Sequence, residues 1–235
     1  MKHPNFSEER KLHKLGYKRI VGLDEAGRGA LSGPVVAAAV MIEISNFQFP
    51  ISKQFPISNF QFSKIKDSKK LSPKQREIFY KIITRVPFIK WGIGRVSEKV
   101  IDRINILEAT KLAMKKAVKK IIPNSQFPIP KRIFLILDGN MKLNLKVPQK
   151  SIVKADEKVI SCAVASIIAK VYRDRIMRKY NKKYPQYNFV QHKGYGTKEH
   201  FKMLKKYGPC KIHRRSFKPI KNLRAYSLDT QKLVS

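Results

Sequence analysis

Apolar positions change their period several times along this chain, and each change marks an element. Short apolar runs rich in β-branched residues at 18–24 (KRIVGLD) and 35–44 (VVAAAVMIEI) predict two strands, with GALSGP turning between them. FIKWGIGRVS (88–97) predicts a third strand, RIFLILDG (132–139) a fourth with a strongly apolar core, and SIVKAD (151–156) a weaker fifth. Helical spacing takes over elsewhere. Ser72-Pro73-Lys74-Gln75 has the form of a capping box with proline at the first helical position, and Ile78, Phe79, Ile82 and Ile83 follow on one face. Ser97 is placed to cap a long helix in which Val100, Ile104, Leu107, Met114, Val118 and Ile121 recur at spacings of three, four and seven. Residues 157–180 are apolar or small almost all round, which predicts a central helix packed on more than one side. Thr197 is placed to cap a last short helix that stops at Gly208-Pro209.

This order of elements predicts an α/β domain with a mixed five-stranded sheet flanked by helices and a helical C-terminal part. The expected boundaries are an N-terminal segment at 1–17, the main α/β domain at 18–180, and a C-terminal helical region with a basic tail at 181–235. One stretch fits no element. Residues 44–62 (ISNFQFPISKQFPISNFQF) form a near-repeat that is echoed at 124–130, and its prolines prevent regular pairing. It reads as a low-complexity insertion in a surface loop.

Charge changes the picture. The 235 residues carry 51 Lys and Arg against 16 Asp and Glu, a formal charge of +35. Self-repulsion on that scale suits a polyanionic partner, and nucleic acid is the commonest. Two cysteines, Cys162 and Cys210, without a Cys-x-x-Cys pattern, exclude a disulfide framework and a structural zinc site. No secretion signal and no uninterrupted apolar run long enough to span a membrane are present, so a cytoplasmic, monomeric protein with no membrane partner is expected.

Against that basic background the placement of the few acids matters. Asp24 and Glu25 follow RIVGL, Asp138 follows RIFLIL, and Asp156 follows SIVKA at the entry to the central helix. Each has an ordinary reading: a pair of salt-bridged acids, an Asp-Gly turn and a helix N-cap. Together they fit something more specific. Strand ends of an open α/β sheet gather at one edge, so four carboxylates there would share a crevice. They would repel unless divalent cations held them, and hard oxygen donors suit Mg²⁺ or Mn²⁺. Two such ions in a protein built for a polyanion suit in-line phosphodiester cleavage. Glu157 can simply complement the helix dipole. Asp174, 18 residues beyond Asp156, would lie roughly 27 Å along a straight helix. It is expected to pair with a neighbouring Arg.

These residues resemble bacterial ribonuclease HII. GLDEAGRG with SGPVVAAAV, DSKKLS at 67–72, ILDGN at 136–140, KADEKVISCAVASIIAKVYRD at 154–174, HKGYGT at 192–197 and HRRSF at 213–217 carry the resemblance, in order, over roughly 15–220. It implies a ribonuclease H-like fold, cleavage of the RNA strand of RNA/DNA hybrids, and incision 5′ of single ribonucleotides embedded in DNA. By motif the family's metal-binding carboxylates fall on Asp24, Glu25, Asp138 and Asp156. One ion, held by Asp24 and Asp138, would activate a water. A second, near Asp24, Glu25 and Asp156, would stabilise the leaving 3′-oxygen, giving a 3′-hydroxyl and a 5′-phosphate. The sister ribonuclease HIII family usually carries an extra N-terminal domain, for which the 17 residues before the first strand leave no room.

The other motifs are candidate substrate contacts. Gly27-Arg28-Gly29 either makes a tight turn or lets the backbone approach a minor groove and read a 2′-OH. Tyr195, between glycines, is a candidate ring for the sugar 3′ of the ribonucleotide. Ser68, Lys69 and Lys70, with Lys193 and Arg214 more weakly, are candidate phosphate contacts. Rival readings are another two-metal nuclease of the same fold, which would cut all-DNA substrates, and a non-catalytic basic RNA-binding protein, which would need none of the acids.

Overall fold

The computed structural model describes residues 4–43, 71–122, 132–218 and 220–222. The repeat segment at 44–62, its echo at 124–130 and the DSKKLS residues Ser68, Lys69 and Lys70 lie outside them.

Five strands form one mixed sheet: β1 (Arg19–Ala26), β2 (Val35–Ile42), β3 (Ile89–Val96), β4 (Ile133–Asp138) and β5 (Gln149–Ile152). Their order is β3-β2-β1-β4-β5, with β1, β2 and β3 antiparallel to their neighbours and β1, β4 and β5 parallel. The helices are α1 (Ser7–Lys14), α2 (Pro73–Ile83), α3 (Glu98–Ile121), α4 (Ile160–Lys183), α5 (Phe189–His192) and α6 (Lys198–Tyr207). Alternation along the strands feeds two cores. Val21, Leu23, Leu135 and Leu137 pack beneath α3, while Val36, Ala38 and Val40 pack beneath α4 and α2.

Several elements depart from the sequence expectation. The fifth strand lies at Gln149–Ile152 rather than 151–156. Lys154 takes a left-handed conformation (φ 58°) that ends it, and Ala155–Glu157 form a short 3₁₀ turn. The central helix starts at Ile160 rather than 157, so Asp156 is not its N-cap and Glu157 is not its first residue. Buried side chains on all sides of α4 match its expected central position. Ser97 makes no side-chain cap to α3. Instead Asn105 (φ 63°) kinks the helix and accepts the amides of Leu107 and Glu108 at 2.9 and 3.1 Å, capping its second half. The kink leaves Leu107, expected in the apolar stripe, 38% exposed. The caps at Ser72 and Thr197 form as expected.

The N-terminal segment, unassigned from its polar sequence, forms α1 and fastens the start of α4. Asn5 bridges to Val159, and buried Glu9 accepts the Ser161 amide at 3.0 Å and its hydroxyl at 2.9 Å through Oε1. A carboxylate there takes up an amide at the helix end that has no intrahelical partner. Opposite it, a Cβ on Gly22 of β1 would lie 2.4 Å from the Ser161 carbonyl carbon, so only glycine lets α4 sit this close to the sheet. Glu9→Ala is expected to lower unfolding free energy by about 1–2 kcal/mol. Urea titration of both proteins checks this; an unchanged midpoint would show that α4 does not depend on the clip.

Candidate active site

Strand geometry brings the acids together. Because Leu23 and Leu137 face α3, Asp24 and Asp138 point to the α4 side. Leu23 pairs with Leu137 in the parallel register, and one step further sets Asp24 beside Asp138. Asp156 arrives from the 3₁₀ turn in front of α4. One carboxylate oxygen from each of Asp24, Asp138 and Asp156 lies within 4.8 Å of the others. Backbone amides fix two of these groups. Asp24 Oδ1 accepts from the Glu25 amide and Asp138 Oδ1 from the Ala155 amide, each at 2.6 Å. Glu25 stands outside this trio but lines the same cleft, with Oε1 3.8 Å from Arg28 Nη1.

The cluster is electrostatically uncomfortable. Burial, then the charges of Glu25 and Asp138, hold the Asp24 carboxyl well above the usual carboxylate range, against a hydrogen bond from Ser166. Burial pushes Glu25 up to about 7, opposed by Arg28. Glu25 Oε2 is buried with no hydrogen-bond partner among the described residues. Close-set hard oxygen donors that strain one another in this way fit a divalent cation. The cleft around them measures about 300 Å³, and Arg76 of α2 with Ser166 and Lys170 of α4 complete its wall. Sequence reasoning passed over these three. The available signal is the spacing of four between Ser166 and Lys170, which places two polar side chains on one face within the mostly apolar first half of α4.

Two buried arginines hold the loop after β1. Arg173 donates to the carbonyls of Pro34, Lys193 and Ser32, each at 3.0 Å. Arg214 donates to Gly33 at 3.0 Å, Arg28 at 2.9 Å and Gly27 at 2.6 Å. This corrects the expected role of Arg214. It is fully buried, and each of its three nitrogens donates to a backbone carbonyl. Gly27 (φ 89°) is required from within, since a Cβ there would lie 1.8 Å from Arg173 Nε. Gly29, by contrast, has open space where a Cβ would stand.

Tyr195 lies at the cleft wall, with Arg173 Cζ 5.3 Å and Lys170 Nζ 5.4 Å from its ring centroid. Lys193 is half-buried and in a left-handed conformation, with its ammonium bonded to the Val190 carbonyl. Asp174 pairs with Lys170 at 3.0 Å, not with an arginine as expected. Its neighbour in sequence, Arg173, is committed to carbonyls.

A mixed sheet of this order, with carboxylates from the ends of two strands and from the turn before a central helix, defines a metal-dependent nuclease of the ribonuclease H-like fold. The model of the family described as Ribonuclease HII matches residues 21–220. The chain belongs to that family, whose activity is hydrolysis of RNA in RNA/DNA hybrids. It is 45% identical over 225 residues to the Ribonuclease HII of Syntrophus aciditrophicus, covering 96% of this chain and 95% of the relative. Identity to the Ribonuclease HII of Chlamydia muridarum is 47% over 208 residues, covering 88% and 86%. The crystal structure of ribonuclease H2 from Pyrococcus horikoshii OT3 aligns with a TM-score of 0.66 at 25% identity, covering 88% of this chain and 98% of that one.

The raised carboxyls set a pH dependence. A folded-state value above the unfolded one contributes stability below the unfolded value, about 4, and that stability is lost as pH rises through the folded value, about 7 for Glu25. In chelator at pH 8, Asp24→Asn and Glu25→Gln should therefore each melt higher than wild type, by about 2–8 °C. The gain should vanish near pH 4. Calorimetry at both pH values checks the sign; a lower Tm at pH 8 would contradict it.

Proposed function

We propose that this chain incises the RNA strand on the 5′ side of a ribonucleotide, including a single ribonucleotide embedded in duplex DNA, leaving a 3′-hydroxyl and a 5′-phosphate. The observation that supports this reading is that the carboxylates, the Gly27–Gly29 loop and the Tyr195 ring line one cleft. Asp24, Glu25, Asp138 and Asp156 are the residues that would hold two divalent ions, Mg²⁺ or Mn²⁺. Bound there, such ions supply an activated water and neutralise charge on the leaving oxygen.

The rest falls to the chain's own groups. Open space at Gly29 lets a minor groove reach the loop backbone. Arg214 fixes the Gly27 and Arg28 carbonyls from inside, and the backbone amides and carbonyls of the loop are the groups that would read a 2′-OH. Arg173 holds the loop and, with Lys170, lies against the Tyr195 ring, which at the cleft wall would meet a sugar. Lys170 and Arg76 present positive charge to the phosphates.

Duplexes carrying one ribonucleotide, a continuous RNA strand or DNA alone, each with Mg²⁺ and with Mn²⁺, test this reading. Cleavage of the first two and not of the third is expected; cutting of plain DNA would favour a general two-metal nuclease. Asp24→Asn should retain less than about a tenth of the wild-type rate, since loss of a metal ligand costs several kcal/mol.

Tyr195→Ala should slow cleavage roughly ten- to a hundredfold, the range for one stacking contact. The loss should be larger on the single ribonucleotide, where the sugar 3′ of the cut lacks a 2′-OH. Rates on both substrates decide it: equal losses would reduce Tyr195 to a support of the fold.

A further inference from the structure

Beside the active cleft lies a second hollow of about 400 Å³ that shares no lining residue with it. Tyr80 of α2, Arg95 of β3, and Tyr172, Arg175, Lys179 and Tyr180 of α4 form its wall. We propose that this hollow binds the sugar-phosphate backbone of the duplex arm that flanks the scissile site; the inference rests on the nuclease reading above.

The same elements build both hollows, so a strand can run from one to the other. On α2, Arg76 lines the active cleft and Tyr80, one turn further, lines the second hollow. On α4, Ser166 and Lys170 line the cleft, and Tyr172, Arg175, Lys179 and Tyr180, further along the helix, line the second hollow. Across the sheet, Ala26 of the cleft pairs with Val36, which pairs with Arg95. Two strand spacings put Arg95 about 10 Å from Ala26. That is about three base-pair steps at roughly 3.4 Å each.

The chemistry of the wall selects the occupant. Arg175 is held in place, 4.3 Å over the Tyr80 ring and bonded to Glu77 at 2.6 Å, which also takes Arg178. Arg95 and Lys179 pair with no carboxylate among the described residues, so their charge is available to an anion. Cations between tyrosine rings suit alternating phosphates and sugars, and rings accept a sugar or base face without sequence preference. A peptide partner would have to be acidic and amphipathic to fit the same wall, whereas a duplex seated in the adjacent cleft meets both requirements with its own backbone.

The test is the double variant Arg95→Ala/Lys179→Ala, neither residue belonging to the active cleft, with binding measured by anisotropy across salt concentrations. Substrates are a duplex with long arms on both sides of one ribonucleotide, and two versions with one arm or the other cut to two base pairs. Chelator prevents cleavage during binding. The variant is expected to bind the long duplex five- to twentyfold more weakly near 100 mM salt, with the log–log salt slope shallower by about two. On one of the two truncated duplexes it should match wild type. An unchanged salt slope, or an equal loss on both truncated duplexes, overturns the assignment of the hollow. Failure of wild type itself to bind the long duplex would instead overturn the nuclease reading. Melting of the variant within a degree or two of wild type excludes misfolding; if it melts much lower, Arg95→Gln/Lys179→Gln, which keeps the packed stems, repeats the measurement.

Discussion

Like charges buried at close range repel, and holding Asp24, Asp138 and Asp156 within 4.8 Å of one another is the constraint that the surrounding fold answers. Each carboxylate is carried by a different rigid support: the end of β1, the end of β4 and the turn before α4. The parallel pairing of β1 with β4 fixes the first two side by side. The third is placed by α4, which Gly22 admits close to the sheet and α1 fastens through Glu9. Amides of Glu25 and Ala155 then aim the oxygens. A site strained in this way when empty is prepared for cations.

A second device keeps the loop after β1 in place. Buried guanidinium groups are tolerated when hydrogen bonds replace their hydration, and each nitrogen of Arg173 and Arg214 donates to a backbone carbonyl, most of them on the loop after β1. The loop that presents Gly29 to the outside is therefore rigid although it contains three glycines between residues 27 and 33. The same Arg173 lies against the Tyr195 ring. Loop and ring, 162 or more residues apart in sequence, are thus held by one side chain. Arg214 shapes the loop backbone from inside, although its charge in the sequence reads as a phosphate contact.

Much of this was legible from the chain. The alternation of apolar residues located four strands within a residue or two, and the capping residues Ser72 and Thr197 marked true helix starts, because strand pleats and helix caps are local and leave a period or a spacing in the sequence. The scarcity of acids in a chain of charge +35 singled out the carboxylates, since an acid at the end of an apolar strand is unusual whatever surrounds it. Tertiary structure decided the rest. The left-handed Lys154 and Asn105, which shorten β5 and kink α3, depend on packing that no local pattern encodes. So does the helical N-terminus that fastens α4, whereas the pairing of Asp174 with Lys170 is an i,i+4 contact that the helix spacing already offers. Residue type alone established that Arg173 and Arg214 are charged. Whether a charge meets solvent, substrate or buried carbonyls is set by elements distant in sequence folding over it, and only the assembled chain determines that.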